Sequence, residues 1–278
     1  MTIQEQLGAV QEQFSGEFAV YAEHLETGEV IAFGAVEEPH LTASVMKLPV
    51  LVEALSQCHQ GIHRLDELLE YRADDFVPGS GVLKDLTAGL RLSFRDALML
   101  MMTISDNLAT NMVLRTVGID QVNRLCREWG LTQTVVHRKI AFDQPGPLAF
   151  TTPVDLVQLL RGIYHETMLD PQSSAIAMDM LARQEYNTLL TRQMPYELLE
   201  GTDDEAPLVK VLSKSGWDVG VVNDAGLVMT PWGDYAIAIM SEHCQDHRFH
   251  VDQEAHVLLP YAARAVFDHF VPESERHR

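Results

Sequence analysis

The sequence predicts an α/β (α+β) fold: an antiparallel five-stranded sheet flanked by terminal helices, with an all-helical lobe inserted into it. Three observations carry that expectation. Strand-like runs cluster near the two ends of the 278 residues. Between them lies a long stretch rich in Leu and Met and poor in β-branched residues. The chain opens and closes on apolar-faced helical patterns.

Each element follows in order. Ile3, Leu7, Val10 and Phe14 fall on one helical face. EFAVYAEHLETGEVIAFGA then reads as two strands joined at Thr27-Gly28, a hairpin signal. From Ser44 to about Arg192 the runs KLPVLVEAL, ALMLMMTI and VDLVQLLRGIY are helical. Strand character returns in APLVKVLSKSG, VGVVNDAGLVMTP and YAIAIMSEH, separated by Gly, Asp and Pro. HVLLPYAARAVFDHF closes the chain as a helix, with Pro260 expected in its first turns or at a kink. The early and late strands most economically share one sheet. Residues 1–42 and 203–278 then form a discontinuous sheet domain, and residues 43–202 a helical one. The cleft between them is where a site is expected.

Composition narrows the function classes. Forty acidic against 20 basic side chains give a formal net charge of -20, a surface that repels nucleic acid and anionic membranes. Its plainest purpose is solubility. Cys58, Cys126 and Cys244 are odd in number and widely spaced, without a disulfide framework or metal pattern, which fits reduced thiols in a cytosol. His243, His247 and His250 beside Cys244 match no standard metal spacing and read as a solvated loop. The opening MTIQEQLGAVQEQF lacks a basic n-region and an apolar h-region, and no apolar run approaches a membrane span. The expectation is a soluble chain, cytoplasmic as it stands and exported if a leader was removed. Neither cofactor nor metal is expected.

Three short motifs carry chemistry. Ser44-Val45-Met46-Lys47 precedes the apolar run LPVLVEAL. If a helix begins near Ser44, hydroxyl and amine share a face, beside free backbone N–H groups and a positive dipole end. A serine is a poor nucleophile until a base takes its proton, and a desolvated lysine does this. Ser105-Asp106-Asn107 follows ALMLMMTI. Its hydroxyl can relay a proton, its amide can bond a substrate carbonyl, and Asp106 can hold the turn. Lys214-Ser215-Gly216 ends a strand, where amine and hydroxyl can hold a substrate carboxylate and the glycine admits close approach. Taken singly, each has a plainer explanation: an N-cap, the cap of the next helix, a strand ending in a turn.

Together, in this order, S-x-x-K, S-D-N and K-S-G resemble the class A β-lactamases and the wider penicillin-recognising serine hydrolases. The likeness extends through PGSGVLKDL, SDNLATNMVL, GLTQT, TTPVDLVQLL and VVNDAGLV, over most of the chain. Ser215 stands where threonine is commoner, which keeps the hydroxyl. The resemblance implies that Ser44 attacks the carbonyl and forms an acyl-enzyme, with Lys47 as base or proton shuttle. Ser105 passes a proton to the leaving nitrogen, and Asn107 steadies the acyl side chain. Lys214 and Ser215 meet the substrate carboxylate, and the oxyanion lies between the Ser44 and Trp217 amides. Trp217 is bulky for that place. The partner implied is a small β-lactam or related amide or ester.

Two departures matter. The loop from His137 to Pro153 contains no glutamate to activate the deacylating water; Asp143 is its only carboxylate, and Glu166 lies beyond it. The arginine often used for the substrate carboxylate is missing from GVVNDAGLV, with Arg248 as a candidate replacement. Acylation is therefore expected, with deacylation in doubt. Three readings stay open: a β-lactam hydrolase, a penicillin-binding or sensor module that stays acylated, and a carboxylesterase using the same Ser-Lys pair.

Overall fold

A computed structural model describes residues 1–201 and 206–275 of the protein. The opening pattern folds as α1 (Ile3–Gln11), started by a capping box between Thr2 and Glu5. β1 (Glu17–His24) and β2 (Val30–Phe33) form the expected antiparallel hairpin. A short strand, β3 (His40–Leu41), leads into a 3-10 turn over Ala43–Met46 and then α2 (Lys47–His59). β4 (Leu68–Glu70) pairs with β5 (Arg91–Ser93) ahead of α3 (Phe94–Thr103), α4 (Asn107–Val117) and α5 (Ile119–Glu128). β6 (Val135–Val136) pairs with β7 (Ala149–Thr151), which also pairs with β3. Next come α6 (Pro153–Tyr164), α7 (Pro171–Ala182) and α8 (Tyr196–Leu199). β8 (Lys210–Asp218), β9 (Val221–Met229), β10 (Tyr235–Glu242) and α9 (Glu254–Phe270) complete the order.

The segment expected to be all-helical is therefore not so. It carries β4 to β7, strands of two or three residues, too short for an alternating pattern to show in the sequence. The boundary expected between residues 202 and 203 lies outside the described residues.

The main sheet runs β2-β1-β10-β9-β8, antiparallel throughout. Alternation along β10 sorts its side chains between two cores. Ala236, Ala238 and Met240 join the helices α2 to α7. Tyr235, Ile237 and Ile239 join α1 and α9 on the opposite face. The site forms where the first core ends, because the 3-10 turn that leads into α2 packs on β8 and β9.

Pro260 lies inside α9, past the first turn, and the helix continues through it. Proline has no N–H for the carbonyl four residues back. That carbonyl belongs to His256, and it accepts instead from the Arg192 guanidinium at 3.0 Å. The substitute donor accounts for the tolerated proline.

Candidate active site

The 3-10 turn explains why S-x-x-K spacing works here. In such a turn residues i and i+3 eclipse, so Lys47 lies directly over Ser44. Lys47 Nζ donates to Ser44 Oγ at 3.1 Å. The same amine reaches Ser105 Oγ and Ser105 O, both at 2.8 Å, and Asn107 Oδ1 at 3.0 Å. Lys47 is sealed from solvent, at 0% exposure. Burial first, and the charge of Lys214 second, push its amine well below the usual lysine range, against an opposing pull from Asp106. A neutral amine between two hydroxyls is what proton transfer requires.

The SDN turn is built from below. Asp106 caps α4 by accepting from the Ala109 amide at 2.9 Å. Its other oxygen accepts from the amides of Val82 (2.7 Å) and Leu83 (2.9 Å). Gly81 makes this possible, since a β-carbon there would sit 2.2 Å from the Asp106 carboxyl carbon and its φ is +99°. Ser105 holds φ at +55°, an uncommon conformation for a residue with a side chain, while Lys47 grips both its oxygens. Asn107 also donates to Pro78 O at 3.3 Å, so much of its amide is committed within the protein.

β8 supplies the opposite wall. Lys214 is fully buried, and burial pulls its amine down to about 7 against the attraction of Asp224. Its Nζ donates to Ser215 O at 2.7 Å. Burial raises Asp224 in turn to about 6. Ser215 directs its hydroxyl and amide to Gln184 Oε1, at 3.0 and 2.7 Å, while Gln184 Nε2 donates to Ser213 Oγ at 2.6 Å. Gly216 packs on the Ser44 backbone.

These segments open into one cavity of about 450 Å³. Ser44, Ser105, Asn107, Ser215, Gly216 and Trp217 all line it, and Lys47 and Lys214 lie beneath its surface. Two candidates stay outside. Asp143 is exposed and absent from the lining, where its neighbour Phe142 stands instead. The Arg138 guanidinium explains the loop's path, gathering the carbonyls of Ala141, Gln144 (3.2 Å) and Gly146 (2.9 Å). Arg248 is exposed and paired with Asp246 at 2.6 and 2.8 Å, leaving Phe249 to face the cavity. The Asp246 carboxylate, two residues away, holds the guanidinium that was a candidate for the substrate carboxylate.

Three contributors escaped the sequence reading. Gln184 orients Ser215 across 31 positions. Asn223 donates to Leu41 O (2.8 Å) and Thr42 O (3.0 Å), fixing the chain just before Ser44. His256 lines the cavity from α9. The only available signal was the polar pair Asn223-Asp224 inside an otherwise apolar strand.

A family model described as the β-lactamase enzyme family matches residues 2–270. Among solved structures, a β-lactamase from Sphaerobacter thermophilus DSM 20745 superposes with a TM-score of 0.85 at 26% identity, over 97% of this chain and 98% of its own. A PBP-A mutant, solved as its acyl-enzyme complex with penicillin G, gives 0.84 at 27% identity over 96% and 95%. A class A β-lactamase from Mycobacterium abscessus gives 0.84 at 19% over 97% and 99%, a likeness of fold. The family match spans the sheet, the helices and every segment that lines the cavity, and the chain belongs to the β-lactamase enzyme family.

Proposed function

We propose that the protein opens β-lactam amides by acyl transfer to Ser44, and that its acyl-enzyme is long-lived. The observation that carries this is the Lys47 amine, buried, held below its usual range, and within hydrogen-bond reach of both Ser44 Oγ and Ser105 Oγ.

In this reading Ser44 Oγ attacks the carbonyl carbon while Lys47 Nζ takes its proton. The proton passes through Ser105 Oγ to the departing nitrogen. The oxyanion is received by the backbone amides of Ser44 and Trp217, a role supported by the close packing of Gly216, the neighbour of Trp217, on the Ser44 backbone. Each such donor is worth on the order of 3 kcal/mol. Asn107 braces the acyl side chain, and Ser215 stands in the far wall with Lys214 buried beneath it.

Release of the acyl group needs an activated water. Asp218, at the exposed end of β8, is the one carboxylate among the described residues lining the cavity, and its Oδ1 accepts from the Val219 amide at 2.7 Å. The 137–153 loop presents Ile140, Phe142 and Leu148 there. This apolar face favours slow deacylation, with Lys47 the remaining base. The similarity to PBP-A, whose mutant was solved as its acyl-enzyme complex with penicillin G, supports the acyl-transfer step.

A chromogenic cephalosporin followed by colour and by intact mass tests the proposal. A fast burst, a persistent adduct on Ser44 and slow later turnover are expected. Full activity of Ser44→Ala would overturn the assignment.

A further inference from the structure

Three aromatic rings form one wall of the cavity. Trp217 stacks on Phe249, with centroids 5.1 Å apart, and takes the edge of His256 at 4.3 Å. His256 is only 2% exposed, and apart from a weak approach to the Thr188 backbone neither ring nitrogen has a hydrogen-bond partner of normal geometry. A buried imidazole left so has lost its water without a full replacement, and a ligand that bonds it makes good that loss. Trp217 is two residues from Ser215 on the same strand, so both side chains leave the same face of β8.

That wall is unlike a carboxylate site. Among the described residues, no lysine or arginine side chain lines the cavity. Arg248 is held by Asp246, and Arg192 gives Nη1 to the carbonyls of Val251 and His256. The Ser215 hydroxyl is directed to Gln184. Burial first and Arg192 second hold the imidazole down at about 4, against a weaker pull from the Thr188 backbone, so the ring is neutral near pH 7. A neutral imidazole offers one N–H and one lone pair. A carboxylate entering here would lose its water without gaining a cation, whereas an ester or amide would not.

We propose that His256, with Trp217 and Phe249, forms a subsite for an uncharged, planar hydrogen-bonding group of the substrate, such as an ester or amide, in preference to a free carboxylate. This rests on the cavity being the substrate site. His256 is the specificity residue and takes no part in the bond changes at Ser44.

The test compares a cephalosporin bearing its free carboxylate with the methyl ester of the same compound. Binding of each to the Ser44→Ala protein is measured by calorimetry, which is independent of whether Ser44 is acylated. Acylation rates of the unaltered protein are measured separately by mass. The ester is expected to bind about tenfold more tightly than the acid, as for one buried hydrogen bond. His256→Phe keeps the ring and its packing, and in the Ser44→Ala background should weaken ester binding about tenfold while leaving acid binding within about twofold. His256→Gln should recover part of the loss. Equal or tighter binding of the acid overturns the subsite, as does an ester preference that His256→Phe leaves intact. If the preference holds but neither compound labels Ser44 in the unaltered protein, the acyl-transfer reading fails and the subsite stands.

Discussion

Gly216 lies against the backbone of Ser44: a β-carbon on Gly216 would stand 2.7 Å from the Ser44 amide nitrogen and 2.9 Å from Thr42 O. Strand and nucleophile turn are thus as close as two backbones allow, and only glycine permits it. Gly216→Ala must push β8 away from the amide proposed to face the oxyanion. Acylation should fall by about 10²–10³, the usual loss of one oxyanion donor. Stopped-flow acylation beside a thermal melt checks this; a large fall in stability with normal acylation of the folded fraction would refute it.

Lys214 tunes Lys47. A neighbouring positive charge disfavours protonation of the Lys47 amine, so its removal raises that amine toward the ordinary lysine value. The base then needs higher pH to be neutral. Lys214→Met should shift the acidic limb of the acylation profile to higher pH, besides any loss in rate. A limb that stays in place would show that burial alone sets Lys47.

Asp224 links the same region to stability. Its carboxyl is raised from 3.8 to about 6 by burial, so the folded state binds more protons than the unfolded between those values. Its contribution therefore makes the fold less stable as pH rises from about 4 to about 6, by on the order of 3 kcal/mol. Asp224→Asn should flatten that part of the curve. Denaturant melts at pH 4 and pH 6.5 measure it, and an unchanged difference between them would contradict the assignment.

Asp143 should be dispensable for release of the acyl group. It is exposed and outside the cavity lining. The acyl-enzyme lifetime of Asp143→Asn, followed by mass, should agree with that of the unaltered protein within about twofold. A markedly longer lifetime would bring Asp143 back as the water activator.

The floor of the helical region rests on a buried ion pair. Asp75, at 0% exposure, receives Arg115 Nε and Nη2 at 2.9 Å each. Asp75→Ala leaves a cation without its partner and should cost about 3–5 kcal/mol. Chemical denaturation reads this directly; a loss below about 1 kcal/mol would mean that water or Glu70 O compensates.

The fold was legible because its long elements repeat. α1, the β1–β2 hairpin, α6 and α9 each carry their period over two turns or several alternations. β3 and β6, at two residues each, offer no period, so their pairing with β7 went unseen. The site divides in the same way. Ser44 and Lys47 are three positions apart, and that spacing alone brings them within reach in a helical turn. Gln184, Asn223 and His256 reach the cavity from elements far away in the chain, and neighbouring residues give no hint of it.

The sequence by itself determined the order of elements, the local geometry inside S-x-x-K and S-D-N, and the absence of a glutamate between residues 137 and 153. Only the tertiary structure decided the polarity of the cavity. Arg248 was captured by Asp246, two residues away, and a proline in α9 left the His256 carbonyl to Arg192. Which of several nearby groups a charge meets depends on distances and burial that arise when remote segments pack, and a linear chain does not encode them locally.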